Sequence, residues 1–134
     1  MSYATERAVV GGILAAFTAV PVLWPNSTLE PPTPTEPPAE PAAFVNVEIE
    51  HGLAELVDFA GGARVDGRVV LEVWAERRAG DDRIRELVDT LAGLFRAGDT
   101  AAVQFLEPVP GESSVSAGWY GRALRVPFVR WEVG

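Results

Sequence analysis

Cysteine and lysine are both missing from this chain of 134 residues, and histidine and methionine occur once each. Without cysteine there is no disulfide framework and no thiolate metal site. The absence fits a reducing compartment without requiring one. His51 is the single imidazole, so a histidine pair for a metal is excluded and any catalytic triad has one residue to build on. All 11 positive side chains are arginine, and with the abundance of Ala, Gly, Pro and Val this reads as the composition of a GC-rich genome. Against them stand 19 acidic residues, for a formal net charge of −8. That balance argues against binding nucleic acid by neutralising phosphates.

Long hydrophobic runs are also lacking. The most apolar segment, residues 8–20, makes a helix of roughly 20 Å against about 30 Å of bilayer hydrocarbon. Pro21 stops its extension. As an export signal the segment is poor, because Glu6 cancels Arg7 ahead of it and no small-x-small cleavage site follows. A core helix over residues 3–19 is the better reading. Val9, Ile13, Ala16, Phe17 and Val20 then form its apolar stripe, widened by Val10 and Leu14, with Glu6 and Arg7 on another side.

What is present is a chain of ordinary apolar content, long enough for a single domain with a real core. Residues 43–50 alternate, with Val45, Val47 and Ile49 opposite Phe44, Asn46, Glu48 and Glu50, as a half-buried strand does. A second strand is expected over 53–60, closed by a hairpin turn at Gly61-Gly62. The longest strand follows over 63–76, with Gly67 marking a bulge. Gly80-Asp81-Asp82 opens an amphipathic helix whose stripe is Ile84, Leu87, Val88, Leu91, Leu94 and Phe95, and Gly98 is placed to cap it in the left-handed conformation. Strands over 101–106, 115–120 and 122–133 complete the chain, with a loop over 108–114 and a turn or bend at Gly121. Pro127 has no N–H, so its side of the last strand is expected at an edge or bulge. The expected fold class is α+β: a mixed, mainly antiparallel sheet with two helices packed on it, in the order α-β-β-β-α-β-β-β. One domain spans 1–134, with a proline-rich loop at 25–42.

Catalytic signatures are sparse. His51 beside Gly52 reads as a surface histidine at a strand end, and Asp81-Asp82 as a helix cap and dipole complement in preference to a cation site. Ser113-Ser114 lacks the Gly-x-Ser-x-Gly elbow, and there is no phosphate-binding GxxxxGK[ST] loop. Neither a cofactor nor a metal is expected, nor an enzyme. Trp74 and Trp131 are expected to pack on sheet faces, while Trp24 and Trp119 sit at element ends as core lids or interface anchors.

Laid out in order, these pieces resemble the tail terminator-like proteins of long-tailed bacteriophages. The resemblance runs from the first helix through Trp24-Pro25-Asn26 and Pro31-Pro32 to the strand at 44–50. It continues through Gly67-Arg68-Val69-Val70-Leu71-Glu72-Val73, the Gly80-led helix ending at Phe95, Trp119-Tyr120, and Leu124-Arg125-Val126-Pro127-Phe128. It departs from the family at the proline run 31–41, which is longer and richer than the family's usual loop. The resemblance implies a structural virion protein that forms a ring, usually of six subunits, on the end of the tail tube. That ring halts tube polymerisation and offers head-completion or connector proteins a docking surface, with DNA passing through its lumen unbound. Its implied partners are itself, the tail tube protein and the connector; it needs no membrane. Its implied location is the virion tail or neck, after assembly in the host cytoplasm. Trp24, Pro25, Asn26, Pro31, Pro32, Trp119 and Tyr120 are the expected interface residues. The competing readings are another neck or tail-completion protein of a phage or gene-transfer particle, then a secreted or anchored domain on a proline stalk.

Overall fold

In the computed structural model, residues 4–25, 31, 42–56, 63–77, 80–100, 103–116 and 118–132 are described. The order is α1 (Ala4–Ala15), β1 (Val22–Leu23), β2 (Ala43–Leu56), β3 (Ala63–Glu76), α2 (Gly80–Arg96), β4 (Val103–Phe105), β5 (Val109–Ser116) and β6 (Trp119–Glu132). They form an α+β fold on one sheet, ordered β1-β2-β3-β6-β4, with β5 also paired to β6. Among the described strand pairs only β1–β2 is parallel.

Three strands of 14 residues make the middle of this sheet. Their alternation places Val45, Val47, Val69, Leu71, Val73, Leu124, Val126 and Phe128 on one face, all buried. Both helices cover that face: α2 lies across β3 and β6, and α1 beside α2. The α2 stripe is buried as its spacing predicts, with Leu94 only partly so. Phe95 meets Phe105 edge-to-face at 5.3 Å, and Phe105 meets Phe128 at 6.4 Å. Each such buried side chain contributes about 1.5–3 kcal/mol through removal of apolar surface from water.

The element letters agree with expectation, but several boundaries do not. The strands expected at 43–50 and 53–60 are one strand, β2, which continues past His51-Gly52 through a register shift between His51 and Ala54. The bulge therefore lies in β2, and Gly67, expected to mark one in β3, stays in register opposite His51 and Phe128. The loop expected over 108–114 is most of β5, and the chain reverses at Gly118 (φ +88°) before β6 runs unbroken through Gly121. Gly118 has the left-handed backbone a tight reversal needs. Gly121 serves a different purpose: a Cβ there would lie 2.6 Å from the Trp74 ring packed over it. Gly98 is likewise no left-handed cap, since Gly118 alone has positive φ among the described glycines. Its missing side chain makes room for Ile13 of α1. The short β1 was not expected, and the Gly61-Gly62 turn lies outside the described residues, though Leu56 pairs with Ala63 as a hairpin requires.

The first helix is shorter than the 3–19 expected. It closes with Ala16 N–H donating to Ile13 O and Phe17 N–H to Leu14 O, after which the chain must extend to pair β1 and reach Pro21. Its fully buried line is Glu6, Val10, Leu14 and Phe17, while Val9, Ile13 and Val20 flank it and Ala16 is exposed. The helix is thus rolled by about one residue from the expected stripe, with the Glu6 carboxylate on its buried line. Pro127 fulfils its expectation. Its carbonyl accepts from Leu106 N–H at 2.8 Å, so its missing N–H faces the same gap, where β4 has ended and β5 has not begun.

At the end of α2, Arg96 donates from Nε (3.0 Å) and Nη2 (2.6 Å) to Glu107 Oε1. These hydrogen bonds, and then the charge, hold the Glu107 carboxyl below its ordinary pKa. A depressed folded-state pKa stabilises above the unfolded value, and that contribution is lost as pH falls through the folded one. Both groups are exposed, so the effect on stability is small. Side-chain carboxyl NMR is expected to show the Glu107 midpoint moving upward in R96A.

Candidate interaction surface

Opposite the helices, the second sheet face carries Phe44, Asn46, Glu48 and Glu50 from β2. It continues with Arg68, Val70, Glu72 and Trp74 from β3, and Trp119, Ala123, Arg125 and Pro127 from β6. Among the described residues no helix covers this face. At one end an aromatic cluster closes it: Phe44 stacks on Trp74 at 6.5 Å and meets Trp119 edge-on at 4.9 Å. Arg68 pairs with Glu50 across the β2–β3 ladder. Large apolar side chains are exposed along the rim beyond β6: Leu106 (49%), Val109 (53%) and Val115 (59%), with Trp131 (47%) at the end of β6.

The expected interface residues do not converge on one patch. Trp24 packs against the core, and the Arg7 guanidinium of α1 sits 3.3 Å from its ring centre. That is a core lid held by a cation–π contact. Pro25 is exposed and lines a cavity of about 170 Å³ with Leu23, Trp24, Asn46, Glu48 and Glu72. Pro31 is exposed coil, and Asn26 and Pro32 lie outside the described residues, as does most of the proline-rich loop. Trp119 and Tyr120 are consecutive strand residues and so project to opposite faces. Trp119 joins the aromatic cluster, whereas Tyr120 lies against the core and donates its hydroxyl to Ser113 Oγ at 3.1 Å. Of the strand tryptophans, Trp74 packs on the sheet as expected, but Trp131 is exposed and has Arg64 5.8 Å from its ring centre.

A buried polar cluster lies outside all the expected interface residues. Glu6 of α1 is 0% exposed, and its Oε1 accepts from Arg130 Nε of β6 at 2.5 Å, with Arg130 itself 3% exposed. His51, expected on the surface, is half-buried: its Nε2 lies 3.6 Å from the same Oε1 and its ring is edge-on to Phe128 at 6.1 Å. A separation of 124 residues joins α1 to the last strand. No pattern within one sequence announces such a pair; the hint available was a carboxylate at i−4 from Val10 on the helix line that is buried. Among the described residues no group of three or more His, Cys, Asp or Glu is placed to hold a metal. Nor, among them, is any helix long and apolar enough to cross a membrane.

No protein-family model matches this sequence, and no curated protein matches it. Among solved structures it is similar to a chain known by a sequence label alone, at 17% identity and a TM-score of 0.62. The likeness covers 97% of this chain and 96% of that one. At that identity the shared property is the fold.

Proposed function

We propose that the protein is a structural component of a phage-type tail, a terminator that caps the tail tube as a ring, binds no substrate and carries out no chemistry. The observation that supports it best is the apolar rim at Leu106, Val109 and Val115, beside a sheet face free of helices among the described residues. Exposed valines on a sheet edge are a liability in a protein that stays alone and an asset in one that assembles. The segments carrying the family resemblance support the same reading. Those at 44–50, 67–73, 80–95, 119–120 and 124–128 fall on the adjoining strands β2, β3 and β6 and on α2. Function inferred from such likeness is an analogy, and it is the site that must be tested. The net charge of −8 is compatible with a lumen through which DNA slides unbound.

The direct test adds the purified protein to polymerising tail tube protein from the same particle. Tubes of limited length, with rings on one end by negative-stain microscopy, are the expected outcome. Free protein should form rings on concentration, with a mass near six 14.4 kDa subunits. Unchanged tube growth, or recovery of the protein in the membrane fraction, would sink the proposal.

A further inference from the structure

We propose that the hollow between the end of β1 and the β2–β3 ladder is the seat for an arginine side chain of a basic partner protein. The proposal goes beyond the tail reading and does not rest on it. The hollow is the cavity of about 170 Å³ lined by Leu23, Pro25, Asn46, Glu48, Val70 and Glu72 among others. Small-molecule pockets run from roughly 300 Å³ upward, so this one suits a single side chain. Its make-up follows from register. β1 runs parallel to β2 with Leu23 beside Asn46, and across the antiparallel β2–β3 ladder Asn46 lies opposite Glu72 and Glu48 opposite Val70. All four of these β2 and β3 side chains therefore stand on the open face. Glu48 and Glu72 are diagonal neighbours there, their Cα atoms roughly 7–8 Å apart.

What singles out these two carboxylates is the lack of a counter-charge where their neighbours have one. Further along the same face Glu50 is paired with Arg68, and Asp66 with Arg64. Glu48 and Glu72 make no ion pair among the described residues, and no described residue lining the hollow is positive. Arg125 stands diagonal to Glu72 across the β3–β6 ladder, yet its guanidinium lies over Gly111 of β5, on the side away from the hollow. Two like charges beside one concavity repel each other, and an opposite charge brought by a partner relieves that repulsion.

The chemistry of the lining favours a guanidinium over other cations. Leu23, Pro25 and Val70 offer apolar surface to the methylene stem. The planar head carries five N–H donors in fixed directions, enough to serve both carboxylates and the Asn46 carboxamide oxygen together. A lysine ammonium is a compact, strongly hydrated point charge and bridges two separated carboxylates less well. A divalent metal takes about six oxygens or more, and no group of three or more His, Cys, Asp or Glu among the described residues is placed to hold one. Nor is a second copy the favoured occupant. At a net charge of −8 each, two copies repel, whereas a basic partner is drawn to this face.

Titration of the protein with the blocked peptide Ac-Ala-Arg-Ala-NH2, read by amide and side-chain carboxyl NMR, tests the seat. Saturable shifts confined to residues 23–25, 46–48 and 70–72 are expected, with a midpoint in the millimolar range. Replacing the peptide's arginine by lysine is expected to weaken binding by about threefold, and by neutral citrulline by about tenfold. The variant E48Q/E72Q, shown to be folded by circular dichroism, is expected to bind the arginine peptide about tenfold or more weakly. E112Q, on the far edge strand, is expected to bind it like the wild type. Shifts spread evenly over the acidic surface, equal binding of the arginine and citrulline peptides, or undiminished binding by E48Q/E72Q overturns the proposal. So does a tighter response of the same carboxylates to calcium or magnesium chloride, which would make the hollow a metal site. Sedimentation velocity covers the remaining occupant: self-association that E48Q/E72Q abolishes would seat a second copy there and overturn it as well. Failure of the peptide to bind leaves the tail reading untouched, and unchanged tube growth leaves the arginine seat untouched.

Discussion

Replacing Glu6 by glutamine is expected to destabilise the fold by about 1–3 kcal/mol, because it replaces a buried charge-assisted hydrogen bond to the Arg130 guanidinium by a weaker neutral one. For a domain of this size that corresponds to a fall in melting temperature of roughly 4–12 °C. The neutral amide retains nearly the volume of the carboxylate, so the loss measures charge and not packing. The desolvation cost of both ions offsets most of their mutual attraction, so the pair itself contributes little net stability. It follows that removing both charges is gentler than removing one. The double variant E6L/R130M is expected to melt above E6L, and the cycle completed by R130M checks the coupling. Equal melting temperatures for E6Q and the wild type would show that the buried charge is compensated elsewhere. Since Glu6 is on α1 and Arg130 near the end of β6, the variant should also loosen the docking of the first helix. Hydrogen exchange along residues 4–15 reads that directly.

The same pair marks where the sequence stops being legible. The α2 stripe and the alternation of β2 and β3 are local, and burial follows their periods closely enough to place both the second helix and the sheet. For β5, Val-Pro-Gly-Glu-Ser-Ser-Val-Ser shows no alternation, because an edge strand with most of its side chains exposed has no buried face to impose one. The Trp119-Tyr120 dipeptide reads as one anchor along the chain, yet strand geometry divides it between two faces. Trp24 needed a partner on another element, Arg7, before its role as a lid was defined. Glycine is the most ambiguous letter. The chain reverses at Gly118 and runs straight through Gly121, and nothing adjacent in sequence distinguishes a residue that must turn from one that must make room.

That ambiguity leads to a graded prediction at the glycines that face aromatic rings. A Cβ at Gly67 would lie 2.5 Å from Phe128 Cζ and 2.6 Å from the Glu50 carbonyl oxygen. Phe128 is buried and boxed in by Phe105 and His51, and the Glu50 oxygen belongs to the backbone of the neighbouring strand. Neither can move without shifting β2 against β3, so G67A is expected to cost about 1–3 kcal/mol, and G67V more. At Gly121 the nearest atoms all belong to the Trp74 ring, at 2.6 to 2.8 Å. That side chain is partly exposed and has room to swing off the open face, so G121A should cost less than G67A. In α2, Gly93 lies on the exposed side of the helix, and a Cβ added there would meet nothing within 4 Å. There the intrinsic preference of helices for alanine acts alone, and G93A is expected to stabilise by up to about 1 kcal/mol. Chemical denaturation of the three variants checks the order G93A above wild type, then G121A, then G67A. A G67A protein as stable as the wild type would mean that Phe128 and the β2 bulge yield together, and that the close approach of ring to backbone is not what holds this end of the sheet.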